Sequence, residues 1–295
     1  MGQKVSLVLS GGGARGIAHI GVIEELEKQG FEIFSISGTS MGALVGGVYG
    51  LGKMTEFKDW IITLDKRKVF RLADFTLSKQ GLIKGDRVLN AMKKFIPDAN
   101  IEDLETAYCA VAADIINQEE VAFTSGSVFE AIRASIAIPT VFTPVKTSDR
   151  LLVDGGVLNN IPINHAKRIP NDILIVVNVN ANIAVDRPAI SRKASKIQES
   201  NYRRKIREFY SQLMKSDTKK RATNIGYFDL ITKTISLMTY QMEQMILEQN
   251  SPDVLINVSR DSCEVYDFFK ANELVEIGRR AAIKGLAEYR DKNTL

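Results

Sequence analysis

Short apolar runs, each ended by glycine or a polar turn, alternate along this chain with stretches of helical spacing. Residues 4–10 (KVSLVLS) are apolar enough for a buried strand and stop at three glycines. From 14 to 29, Ile17, Ile20, Ile23 and Leu26 recur at the spacing of one helix face, and Gly30 supplies a stop. Residues 33–37 repeat the strand signal, and 41–51, rich in Ala, Gly and Val, read as a helix slim enough to lie close on a sheet. Helices are predicted over 54–65, 85–95 and 128–137. Strands are predicted over 106–115 and 119–124, joined by a turn at Asn117-Gln118, and again over 141–145, 151–153, 173–179 and 254–258. Residues 191–249 read as mostly helical in two pieces, and 265–290 as a closing helix. This alternation predicts an α/β fold with a mostly parallel sheet covered on both faces. No repeat, low-complexity tract or linker divides the chain, so 1–295 is read as a single domain in which 187–250 forms a helical cover.

Composition adds little: 45% hydrophobic and 25% charged residues are ordinary for a globular protein. Net charge is only +4, but its distribution is uneven, with twelve basic and three acidic residues between Arg187 and Arg221. Such a run is usually solvated helix surface. The alternative is peripheral contact with an anionic membrane, where each basic residue contributes about 1 kcal/mol. Nucleic acid is not expected as a partner, because the stretch offers only Tyr202, Phe209 and Tyr210 for stacking and no nucleic-acid module is recognisable. Two isolated cysteines, Cys109 and Cys263, lack metal-ligand spacing and make no disulfide framework, so a reducing, cytoplasmic location is expected. The first residues have no signal-peptide architecture, and no apolar run is long enough to span a bilayer. Gly2 fits a myristoylation motif only loosely, and a strand from about residue 4 argues against it.

Three segments carry chemistry. Gly11-Gly12-Gly13-Ala14-Arg15-Gly16 follows the first strand and opens a helix, so its backbone N–H groups form an anion cradle for a phosphate or an ester oxyanion. Gly11, Gly13 and Gly16 also match the dinucleotide fingerprint, but the second strand ends Ile36-Ser37-Gly38 without the acid that would hold a ribose. The Walker lysine is missing too, since Ile17-Ala18 follow Gly16. Gly38-Thr39-Ser40-Met41-Gly42 is G-x-S-x-G between a strand and a helix, the setting of a nucleophile elbow, although an ordinary turn with a serine cap has the same pattern. A serine needs a base, and the chain has two histidines. His19 lies inside the first helix and His165 at the start of a predicted helix; both read as structural or surface residues. Val153-Asp154-Gly155-Gly156 ends a strand and can present a carboxylate into a crevice, though Asp-Gly is often a plain turn.

Taken in order, Gly11–Gly16, Gly38–Gly42, and Asp154–Gly156 with Asn160-Ile161-Pro162 resemble the signature of the patatin-like phospholipases. Tyr240-Gln241-Met242-Glu243 and the stretch 252–256 are more loosely similar to the smaller bacterial members. The resemblance implies a three-layer α/β/α sandwich and a Ser–Asp dyad without histidine: Ser40 as nucleophile, Asp154 as base, and a covalent acyl-enzyme. It implies an oxyanion hole from Gly12, Gly13 and Ala14 with Arg15 adding positive potential, supported by Gly11, Gly16, Gly38, Gly42, Gly155 and Gly156. The substrate would be a phospholipid, lysophospholipid or simpler acyl ester, with no metal or cofactor. The rivals are a catalytically idle lipid-binding or regulatory homologue and a nucleotide-binding protein using the glycine loop. A homo-oligomer is compatible with the sequence. Met238, Met242 and Met245 fall on one helix face and read as core rather than as an acyl-binding stripe, and Trp60 reads as packed.

Overall fold

The structure is a computed structural model that describes residues 2–74, 81–187 and 227–293. Among the described residues ten strands are formed: β1 Gln3–Leu9, β2 Phe31–Thr39, β3 Gly81–Ile83, β4 Ala107–Asp114, β5 Glu119–Phe123, β6 Thr140–Phe142, β7 Val145–Lys146, β8 Leu151–Asp154, β9 Ile173–Ala181 and β10 Val254–Ser259. The helices are α1 Ala18–Lys28, α2 Met41–Gly50, α3 Met54–Ile62, α4 Lys66–Leu72, α5 Asp86–Met92, α6 Val128–Ser135, α7 Tyr227–Gln249 and α8 Ala271–Asn293. The main sheet has eight strands in the order β10-β9-β1-β2-β4-β8-β7, with β5 against β4. From β10 to β4 all pairings are parallel; β8, β7 and β5 join antiparallel. The sequence reading differs in detail. The predicted strand over 141–145 is two pieces, and β6 leaves the main sheet to pair with β3. The first predicted helix begins as a 3-10 turn over Gly13–Ile17, and α4 was not expected. Asp65 caps α4 by accepting from the Lys68 amide at 2.8 Å, a local signal that propensity over seven residues does not carry.

Alternation along the central strands sorts side chains into two layers. Val5, Leu7, Leu9, Ile175, Val177 and Ile256 join one core with α1, α2 and α8. Val8, Leu174 and Val176 face the other way, onto Ile161 and Ile163, with Leu255 and with Ile246 and Leu247 of α7 packed against them. The result is the expected three-layer α/β/α sandwich, and α7 is the described part of its cover. The helical reading for 191–226, and the basic residues from Arg192 to Arg221, lie outside the described residues. On α7 the methionine expectation is overturned at two positions: Met238 and Met245 are 59% and 57% exposed, because the buried face of this helix is carried by Glu243 and its neighbours, while Met242 is half-buried. Trp60 does pack, with ring centroids 6.0 Å from Phe57 and 5.7 Å from Phe95.

Candidate active site

The three motifs meet at the carboxyl ends of β1, β2 and β8. β1 has β2 on one side and β9 on the other, and a crevice opens where the sheet's winding reverses in this way. The glycine loop leaves β1 at that point. Ser40 follows β2 with φ 55° and ψ −122°, a conformation that costs a non-glycine residue about 1–3 kcal/mol. Its hydroxyl makes no capping bond to α2, which sets aside the plain serine cap. Instead the Ser40 amide donates to Ser135 Oγ at 2.8 Å, and the Ser135 hydroxyl donates to Val111 O at 2.6 Å. Gly42 is required by crowding: a Cβ there would lie 2.2 Å from Leu9 O.

Strand register brings Ser40 and Asp154 together. Thr39 pairs with Val111 of β4, and Asp154 pairs with the next residue of β4, Ala112. Both are buried, Ser40 at 5% and Asp154 at 6% exposure. Asp154 Oδ1 accepts from the Gly156 amide at 2.8 Å, while Oδ2 is buried with no hydrogen bond of ordinary geometry. Burial pushes the Asp154 carboxyl up to about 6, opposed by the adjacent Ser40 hydroxyl and the Gly156 N–H. That leaves a carboxylate oxygen basic enough to accept a proton near neutral pH and uncommitted to any other donor.

The glycine loop lies against the serine: a Cβ on Gly11 would sit 3.1 Å from Ser40 Cβ. The Gly12 and Gly13 amides make no hydrogen bond among the described residues. Ala14 differs from expectation. Its amide donates to Val265 O at 2.8 Å and is thereby spent, so the expected third donor of the cradle is removed. Arg15 turns sideways, donating to Asn180 Oδ1 at 2.8 Å and to Arg260 O at 3.4 Å. Burial lowers its guanidinium pKa while nearby Cys263, Glu243, Glu264 and Asp261 oppose the shift. A cavity of about 310 Å³ beside Arg15 is lined by Arg187, Arg260, Lys270, Asp261 and Glu264, and neither Ser40 nor Asp154 lines it.

Neither histidine stands beside the pair. His19 is fully buried, its Nε2 2.8 Å from Ser10 O, and burial lowers its pKa to about 4. His165 sits in a single 3-10 turn, Ile163–His165, rather than at the start of a helix, with Nε2 2.8 Å from Glu120 Oε2. Residues that the motifs did not reveal complete the surroundings. Ser135 holds the nucleophile amide, Asn180 donates to Gly11 O at 2.8 Å, Glu243 accepts from Asn180 at 2.7 Å, and Thr239 donates to Gly156 O at 3.1 Å. The sequence signal for Asn180 was a polar residue at the carboxyl end of an otherwise apolar strand; Glu243 lay in the loosely similar stretch Tyr240–Glu243 with no role attached, and Ser135 left no signal. Both cysteines are buried, with thiols pushed up to about 12 by burial. Among the described residues no three or more His, Cys, Asp or Glu side chains gather as metal ligands, and no helix is long and apolar enough to cross a membrane.

Comparison with known proteins places the chain in a family. Residues 7–167 match the patatin-like phospholipase family. An uncharacterised NTE family protein of Mycobacterium tuberculosis is 31% identical over 97% of this chain and 92% of its own. Lysophospholipase NTE1 of Kluyveromyces lactis is 31% identical over 61% of this chain but only 13% of its own. The crystal structure of VipD from Legionella pneumophila aligns over 98% of this chain and 67% of its own, with a TM-score of 0.46 and 12% identity. By the family match and the near full-length relative, the chain belongs to the patatin-like phospholipase family, a family of lipid hydrolases.

Proposed function

We propose that this protein hydrolyses acyl esters of phospholipid or lysophospholipid type through a Ser40–Asp154 dyad. The observation that carries the reading is the buried, uncommitted Asp154 oxygen, with the carboxyl raised to about 6, beside a serine held at positive φ. Ser40 Oγ attacks the ester carbonyl as its proton passes to Asp154 Oδ2. The oxyanion is met by the Gly12 and Gly13 amides, each such donor being worth roughly 2.7–4 kcal/mol of barrier. Collapse breaks the bond to the leaving alcohol, which takes the proton from Asp154. Water then attacks the acyl-enzyme, gives a proton to Asp154 and releases the fatty acid; the proton returns to Ser40. Burial of the dyad strengthens these interactions by excluding water.

We further propose a peripheral membrane contact through α7. Leu230, Leu237, Met238 and Met245 on this helix are all more than half exposed, and the basic stretch of the sequence directly precedes it. Oligomeric assembly is not required by the dyad, whose members come from one chain.

The test is a fluorophosphonate probe with the adduct mapped by mass spectrometry. Labelling is expected at Ser40 and is expected to vanish in Asp154→Asn. A folded protein that resists the probe with and without lipid micelles would instead be an idle, lipid-binding homologue.

A further inference from the structure

Gly11 is held on both faces of its peptide. Its N–H donates to Asn160 O at 3.1 Å. Its carbonyl accepts from two carboxamides, Asn180 Nδ2 at 2.8 Å and Asn160 Nδ2 at 3.3 Å. Each of these NH₂ groups has one remaining hydrogen, and both donate it to the same atom, Glu243 Oε1, at 2.7 Å from Asn180 and in a close contact from Asn160. Glu243 is 1% exposed and reaches this point from α7, a different layer of the fold. Its acceptor oxygen, with the Gly11 carbonyl, sets which way both carboxamides face, and Arg15 supports the same orientation of Asn180 by donating to its Oδ1 at 2.8 Å. If either rotated by half a turn, an amide oxygen would confront both the Gly11 carbonyl and the glutamate.

The consequence lies one bond further on. The Gly11 carbonyl and the Gly12 N–H belong to one planar trans peptide, so they point in opposite directions. Fixing Gly11 O toward Asn160 and Asn180 fixes the Gly12 N–H away from them. Resting on the dyad reading above, we infer that Glu243 is a positioning residue: through Asn160 and Asn180 it orients the Gly11–Gly12 peptide so that the Gly12 amide meets the ester oxyanion. The role needs an acceptor oxygen at Oε1 rather than a negative charge. Glutamine can supply that oxygen; leucine, of similar size, cannot.

The experiment compares Glu243→Leu and Glu243→Gln in the full chain, using a soluble short-chain aryl ester and the rate of fluorophosphonate labelling. For Glu243→Leu, kcat and the labelling rate should fall about 10- to 100-fold, less than or equal to the loss of a whole oxyanion donor, with KM little changed. Glu243→Gln should recover most of that loss, and Asn180→Asp, which leaves the packing of Glu243 intact, should reproduce it, as a mere packing role of Glu243 would not. If Glu243→Leu does not fold, Asn180→Asp decides: it puts an oxygen where Gly11 O and Glu243 need a donor, and the same kcat loss is expected. Wild-type kcat in folded Glu243→Leu or Asn180→Asp, or failure of glutamine to rescue, overturns the inference. Failure of the dyad reading is told apart because the wild-type chain would then neither turn over the ester nor label at Ser40.

Discussion

Asp154 sets two opposite pH dependences. As the proposed base it must be ionised, so kcat/KM for a soluble ester should climb with pH through about 6 and then level off, reporting the carboxyl raised by burial. A flat profile across that range would move the base elsewhere. For stability the sign reverses. A carboxyl raised from 3.8 to about 6 binds its proton more tightly in the folded than in the unfolded chain. Its contribution is complete below 3.8 and is lost as pH rises through about 6. Ionised Asp154 then costs the folded state about 3 kcal/mol. Asp154→Asn should therefore abolish turnover yet raise the melting temperature at about pH 8, with the gain shrinking toward pH 4. Equal melting temperatures at both pH values would mean that the carboxylate is well solvated. His19 works in the other direction: burial lowers it to about 4, so the stability it contributes above 6.5 is lost as pH falls through about 4.

At the scale of elements, α1 and α8 meet in a close contact made by backbone. A Cβ on Gly21 would lie 1.8 Å from Val275 O, and one on Gly278 would lie 1.9 Å from Ala18 O. Alanine in a helix interior is ordinarily favoured over glycine by about 1 kcal/mol. Here Gly278→Ala should destabilise by roughly 1–3 kcal/mol net, because α8 must move away from α1 or distort. The check is a urea midpoint that falls with an unchanged slope; a rise in midpoint would show that the helices separate freely. The contact matters to the site because α1 continues the turn of the glycine loop, and Val265, shortly before α8, takes up the Ala14 amide.

For the molecule as a whole, α7 has two faces with different tasks. One carries Glu243 onto Asn160 and Asn180 and Thr239 onto the Gly156 carbonyl, and the other exposes Leu230, Leu237, Met238 and Met245. Moving a large apolar side chain out of water is worth about 1.5–3 kcal/mol. Replacing Leu237 and Met238 together by glutamate should cut sedimentation with phosphatidylglycerol-containing vesicles by at least about tenfold. Turnover of a soluble ester should persist, since both side chains are more than half exposed on the outer face of α7. Vesicle binding that survives the double substitution would place the membrane contact elsewhere.

The motifs and the layer order were legible because they depend on neighbours along the chain. A glycine cluster after an apolar run announces Gly11–Gly16, and strand–turn–helix context announces Ser40. A carboxylate before two glycines announces Asp154, and alternation of strand and helix announces a covered parallel sheet. Tertiary structure decided what depends on partners from distant segments. Only the shared register on β4 puts Asp154 beside Ser40, because Val111 and Ala112 are adjacent while the strands that pair with them are far apart in sequence. Only the position of Val265 removes Ala14 from the cradle, since one N–H donates once and its partner comes from the other end of the chain. Methionine spacing on α7 reads as core by periodicity, yet periodicity gives a face without saying what it faces. The layer beneath α7 is satisfied by Glu243, Ile246 and Leu247, and that leaves Met238 and Met245 in solvent.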